Sequence, residues 1–126
     1  MKLALFSDLH ANLHAFDACL DHARTHGASA FAILGDLVGY GAFPGAVVDR
    51  CMELQDSGAI VVRGNHEYIA LNPSSARNTI GGMTAQWTHD NLSRARVQLF
   101  DAHNHSSSPV SLFGISPTFD QRDSIN

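Results

Sequence analysis

The sequence predicts an α/β fold built on a mostly parallel sheet, and three observations predict it. Short apolar runs at Leu3 to Phe6, Ala30 to Leu34 and Ala59 to Val62 are each cut off by a polar turn, the length and punctuation of strands. Segments with apolar residues at helical spacing separate them, and strands joined through a helix are expected to pair in parallel. Every unusual polar cluster falls at the carboxyl end of one of these runs: Ser7-Asp8-Leu9-His10, Gly35-Asp36 and Arg63-Gly64-Asn65-His66-Glu67. In an open parallel sheet those ends line up along one edge, where such folds place ligands.

The first run reads as a buried parallel strand. It is too short for the apolar core of a secretory signal and no small-residue cleavage site follows, so no such signal is expected. Asn12 is a good N-cap, and Leu13, Phe16, Leu20 and Ala23 recur at helical spacing until Gly27 stops the run. His14, His22 and His26 lie on this helix. The last two, four apart, read as a solvated face, with a surface chelate as the alternative. After the second strand comes the glycine-punctuated loop Leu37-Val38-Gly39-Tyr40-Gly41. Pro44 opens the next helix, whose stripe is Val47, Val48, Cys51 and Leu54, and Gly58 closes it. The third strand leads into the Arg63 to Glu67 turn. Asn72-Pro73-Ser74-Ser75 is a further turn, and a helix is expected from about Thr79 to Asn91 with Ile80, Met83 and Trp87 on one side, Trp87 as a core anchor, with a ligand platform as the alternative. Ser93 is placed to cap another helix carrying Val97, Leu99 and Phe100. From Ala102 the character changes: His103 to Pro109 is a polar loop, Val110 to Ile115 has room for one strand, and the last residues are polar.

Composition narrows the function. At 126 residues the chain is one domain or part of one, and no apolar run is long enough to span a bilayer. A net charge of -4 with eight Lys plus Arg argues against nucleic acid as the main partner, because neutralising phosphates takes a clustered basic face. Cys19 and Cys51 both fall at apolar helical positions and read as reduced, buried residues of a cytoplasmic protein, with a disulfide as the alternative.

The ordered set Asp8-x-His10, Gly35-Asp36-x-x-x-x-Gly41 and Gly64-Asn65-His66-Glu67, each after a strand, resembles the calcineurin-like metallophosphoesterase superfamily. The wider match, with Ser7 to Asn12 and Val62 to Glu67 included, is most similar to its small bacterial and archaeal phosphodiesterase branch. The resemblance covers residues 1–101, the N-terminal part of such a domain, with 102–126 a divergent tail. It implies the N-terminal half of a four-layer α/β/β/α sandwich, the second sheet largely absent, and hydrolysis of a phosphodiester or small phosphomonoester by a metal-activated water. It further implies that Asp8 and His10 bind a first metal, that Asp36 bridges to a second bound by Asn65, and that His66 steadies the scissile phosphate. The ions expected are divalent, manganese first, with iron, zinc, nickel and magnesium as alternatives; the partner is a small phosphorylated substrate.

The chemistry asks for these residue types in its own right. Side chains two apart on an extended segment share a face, so Asp8 and His10 can offer an oxygen and a nitrogen to one cation. The alternative is that Asp8 caps the following helix and His10 is an ordinary loop residue. A carboxylate at Asp36 offers two oxygens for a bridge, and Gly35 allows the turn before it. Asn65 adds a neutral oxygen, so the site keeps positive charge for a phosphate. His66, next along an extended turn, points away from Asn65 toward the leaving oxygen. Arg63 is a candidate for a phosphate oxygen, or a solvated strand-end residue. Gly39 and Gly41 read as loop-shaping, and Tyr40 as either a wall of the pocket mouth or plain packing.

The pattern departs from the family in its second half. There is no Gly-His-x-His, Phe113-Gly114 stands where a ligating His-Gly would, and His103-Asn104-His105 arrives directly after a helix. The first ion then has Asp8, His10 and Asp36, and the second only Asp36 and Asn65, too few to hold it tightly. A lone half-sandwich leaves a sheet face open. The alternatives to an active hydrolase are therefore an inactive truncated or frame-shifted fragment, a metal-binding or interaction module, or a homo-oligomer in which His103 and His105 complete a neighbour's site.

Overall fold

The structure is a computed structural model and describes residues 1–73, 78–93 and 96–97. The elements are β1 (Leu3–Phe6), α1 (Leu13–Thr25), β2 (Ala30–Ile33), α2 (Pro44–Asp56), β3 (Ile60–Val61), α3 (Asn65–Leu71) and α4 (Ile80–Asn91). The sheet has the order β1-β2-β3, parallel throughout, with Leu5, Ala32 and Ile60 in one row and Phe6, Ile33 and Val61 in the next. A sheet that grows in one direction through right-handed crossovers receives both connecting helices on the same face. Burial follows that rule: Ile33 and Val61 join Phe16 and Leu20 of α1 and Val47, Val48, Cys51 and Leu54 of α2 in one core. Phe6 extends it, meeting Phe16 edge-on at 5.6 Å and stacking on Phe31 at 6.4 Å.

The opposite face corrects the reading of β1 as a buried strand. Leu3, Leu5 and Ile60 point away from the helices and, with Leu34, are between 48 % and 61 % exposed. Among the described residues nothing covers them. A continuous apolar run does not say which of its two faces will find a partner.

Local signals set the ends of α1 and α2. The Asn12 side chain accepts from the Ala15 N–H at 3.1 Å, and Gly27 leaves α1 at φ +81°, the left-handed turn glycine adopts without a Cβ penalty. Pro44 starts α2 and Gly58 follows it at φ +98°. Cys51 is buried as expected, and burial, followed by the negative charge of Glu67, pushes its thiol up to about 12. Cys19 is exposed: it stands about 100° round the helix from Leu20, off the buried stripe. His22 and His26 are also exposed, with rings stacked at 4.0 Å, and the His26 Nδ1–H donates to the His22 carbonyl at 2.8 Å.

Two further expectations change. Asn65 and His66 do not lie in an extended turn but open α3. In α4, capped by Thr79 through the Gly82 N–H at 3.1 Å, the buried residues are Gly82, Ala85 and Thr88. Ile80, Met83 and Trp87 are 75 %, 70 % and 45 % exposed, so Trp87 is not a core anchor. Small side chains let α4 approach its neighbours closely, and that face is the one that packs. Beyond α4, Arg96 and Val97 donate backbone N–H groups to the Ser93 carbonyl. Arg96 grips Asp49 of α2 with both branches of its guanidinium, at 2.8 and 2.6 Å. Ser74, Ser75, Leu99, Phe100, His103, His105, the strand expected over 110–115 and the 102–126 tail lie outside the described residues.

A thiol reagent at neutral pH is expected to label one cysteine per native chain, Cys19, and both only after unfolding; rapid labelling of Cys51 would contradict the packing of α2. The Arg96 guanidinium, chiefly by hydrogen bonding, holds the Asp49 carboxyl below its usual range. A carboxyl lowered on folding stabilises above its unfolded pKa, and that contribution is lost as pH falls through the folded value. Asp49→Asn should therefore cost at most about 1 kcal/mol at neutral pH, because the pair is half exposed. The difference from the parent in urea midpoint should vanish in acid.

Candidate metal centre

The centre is built where the three strand ends meet, and its loops are laced together by backbone before any side chain is considered. Beyond β1 and β2 the Asp8 N–H donates to the Gly35 carbonyl (3.3 Å), His10 N–H to Asp36 O (2.9 Å) and Ala11 N–H to Leu37 O (2.8 Å). The chain reaches these contacts by left-handed turns, with φ of +57° at Asp8, +45° at His10, +55° at Ala11, +55° at Asp36 and +62° at Tyr40. Asp8 and His10 thus converge through a tight turn, not through the alternation of an extended segment. Non-glycine residues held at positive φ cost about 1 kcal/mol or more each and gather at functional sites.

The lacing of the second loop to the third depends on Glu67, to which sequence reasoning assigned no role. Its carboxylate is fully buried and accepts four backbone N–H groups. Oε1 takes those of Leu37 and Val38 at 2.7 and 3.1 Å, and Oε2 those of Asp36 and Gly64 at 2.9 and 2.7 Å. A buried carboxylate is tolerated when its oxygens are satisfied this way. The available signal was its place three residues after the helix-capping Gly64, where a glutamate reaches back to the cap N–H. Asp36 returns the contact: its Oδ1 accepts the His66 N–H at 3.0 Å, capping α3 from the neighbouring loop. Gly64 is required here, since a Cβ would run into Asp36 Oδ1, and at Gly35 (φ +99°) a Cβ would sit 2.5 Å from Gly64 N.

On this frame Asp8, His10 and Asp36 each offer a ligand atom, and the three atoms lie within 4.8 Å of one another. His10 Nδ1 is 3.2 Å from the Val38 carbonyl. A carbonyl only accepts, so Nδ1 carries the proton and Nε2 is the free donor atom, the arrangement that orients metal-binding histidines. Nε2 stands 3.6 Å from Asp8 Oδ1, while Asp8 Oδ2 is occupied by the Ser7 hydroxyl at 2.5 Å. Two carboxylate oxygens and one imidazole nitrogen are a donor set that would fit a borderline divalent cation.

Of the other expected residues, His66 and Tyr40 pack against His10. His66 packs its ring 4.8 Å from that of His10, and its buried Nδ1 has no hydrogen-bond partner among the described residues. That ring lies against Gly39 so closely that a Cβ there would clash with Nδ1. Gly41 is pinned in the same way against the His10 carbonyl, so both glycines shape the loop. Tyr40 is exposed, with its ring 5.0 Å from His10 and 4.9 Å from His66. Asn65 is exposed at the first position of α3, beside Asp36 through the His66 N–H, and Arg63 is half-buried in the turn before it.

Comparison with known proteins shows the family and the fold. A family model described as calcineurin-like phosphoesterase matches residues 1–124. An uncharacterized protein of Methanocaldococcus jannaschii is 34 % identical over 103 residues, 79 % of this chain and 41 % of that protein. The crystal structure of a metallophosphoesterase from Sphaerobacter thermophilus superimposes with a TM-score of 0.66 at 31 % identity, covering 81 % of this chain and 41 % of that one. The chain therefore spans about two fifths of the length of each.

Glu67→Gln preserves shape but puts an NH2 where two backbone N–H groups already point. It is expected to lower stability by about 2–3 kcal/mol and to weaken divalent-ion binding at the same time, read by urea denaturation and by calorimetric titration with manganese. An unchanged midpoint together with unchanged ion affinity would show that the buried carboxylate does not hold the loops.

Proposed function

The chain belongs to the calcineurin-like phosphoesterase family, and from that premise we propose that it forms the metal-binding edge of a hydrolase acting on a phosphodiester or a small phosphomonoester. The observation that carries the reading is the convergence of Asp8, His10 and Asp36 on one point within loops held by backbone hydrogen bonds. A small phosphorylated substrate, manganese as the first ion and a cytoplasmic setting belong to the same proposal.

Asp8 through Oδ1, His10 through Nε2 and Asp36 would hold the first ion, and Asp36 with the side-chain oxygen of Asn65 a second. A divalent cation held there would lower the pKa of a water molecule and draw charge from the phosphate oxygens. The protein's own groups do the rest. Ser7 keeps Asp8 turned, and the Val38 carbonyl keeps the proton on His10 Nδ1. His66, whose Nδ1 faces inward against Gly39, has Nε2 left to steady the phosphate and deliver a proton to the leaving oxygen. Arg63 is the candidate for a charge-assisted bond to a phosphate oxygen.

A second reading is favoured by the ligand count. Three protein ligands suit one ion, whereas Asp36 and Asn65 alone leave a second under-supplied. On that reading the 126-residue chain is a one-ion binding module that turns nothing over.

Asp36→Ala should abolish metal-dependent hydrolysis of a chromogenic diester, while His66→Gln should lower the rate by about 10²–10⁴-fold with the ion still bound. Full activity in Asp36→Ala would refute the hydrolase assignment. Metal analysis of the purified chain separates the two readings: two ions with turnover select the hydrolase, one ion without turnover the module.

A further inference from the structure

We propose that the groove between the Tyr40 loop and α4 seats the organic group esterified to the phosphate, and that this group is a flat aromatic ring; the proposal rests on the phosphoester reading of the metal centre. The groove is shallow and open, offers about 290 Å³ and is lined by Tyr40, Gly41, Ala42, Met83, Thr84 and Trp87. That is about the small end of the range for ligand pockets, roughly 300–1,000 Å³, with room for one ring system.

Tyr40 makes the groove continuous with the centre. Its ring touches His10 and His66 and also forms the groove wall, so an ester whose phosphorus sits at the centre has its organic group beside that wall. Tyr40, Met83 and Trp87 are 53 %, 70 % and 45 % exposed, and Tyr40 is held there at φ +62°. The packing of α4 does not use Met83 or Trp87, since its buried residues are Gly82, Ala85 and Thr88. Large apolar side chains gathered in the open beside a polar centre mark a surface that takes an apolar group. Two aromatic walls favour a planar ring by stacking, and a methionine thioether adapts to its edge. Gly81 lies beside the same wall: a Cβ there would stand 3.3 Å from the Tyr40 hydroxyl.

Phenylphosphonate and methylphosphonate present the same head to the centre, differ only in the organic group and are not hydrolysed, so the test is independent of turnover. In the full chain loaded with manganese, phenylphosphonate should bind about tenfold tighter by calorimetry and quench the emission of Trp87, the only tryptophan. In Trp87→Ala and in Met83→Ala the advantage should fall to about twofold or less. Equal affinities in the native chain, or an advantage that survives both substitutions, overturn the groove assignment and leave the metal centre standing. Binding of neither phosphonate overturns both readings. Trp87 emission already shielded from acrylamide before any ligand is added means that another segment of the chain or a second copy fills the groove, and that too overturns it.

Discussion

A reciprocal hold between two loops governs the rest of the molecule. Glu67, rooted in α3, gathers four backbone N–H groups that point inward from the Asp36 loop and from Gly64, and Asp36 caps α3 in return. Each loop supplies what the other cannot satisfy alone. The N–H groups after Gly35 have no strand partner once the sheet ends, and α3 has no side chain at its cap because Gly64 must be bare to admit Asp36. A charged acceptor meeting several amides in a dry place is one of the stronger arrangements available to a protein. It offsets the left-handed backbone at Asp36 and fixes where that carboxylate points.

Preorganisation of the centre follows from the same hold. Asp8 and His10 are laced to Gly35 and Asp36 by main-chain bonds, so Glu67 acts on them through the second loop without touching them. The ligand atoms already lie close together, and binding a cation need not pay to order the loops. That a short parallel sheet can do this depends on its topology: strands in the order 1-2-3 bring all three carboxyl ends to one edge, where successive loops become neighbours. The same topology sends both crossover helices to one face. Among the described residues, Leu3, Leu5, Leu34 and Ile60 remain open on the other.

Much of this was legible in the sequence, and the parts that were share a property. The termini of α1 and α2, the parallel pairing and the clustering of Asp8, His10 and Asp36 each follow from signals within a few residues: Asn12 and Gly27, Pro44 and Gly58, the polar turn after each apolar run. What was misread depends on which surface meets which. Cys19 looked apolar enough to bury but stands off the stripe. Trp87, the larger hydrophobe, lost the α4 interface to Gly82, Ala85 and Thr88, because close approach depends on small residues and not on hydrophobicity summed along a helix face.

By itself the sequence determined the order of the three strands and of α1, α2 and α4, and the sheet edge at which Asp8, His10 and Asp36 gather, since periodicity, turn residues and donor types are local properties. Only the tertiary structure decided that Glu67 binds the loops from within, that Asp8 and His10 meet through left-handed turns, and that α4 shows Met83 and Trp87 to the outside beside Tyr40. Those outcomes come from competition among distant groups for a limited number of buried contacts and hydrogen bonds, and no short stretch of chain contains both sides of that competition.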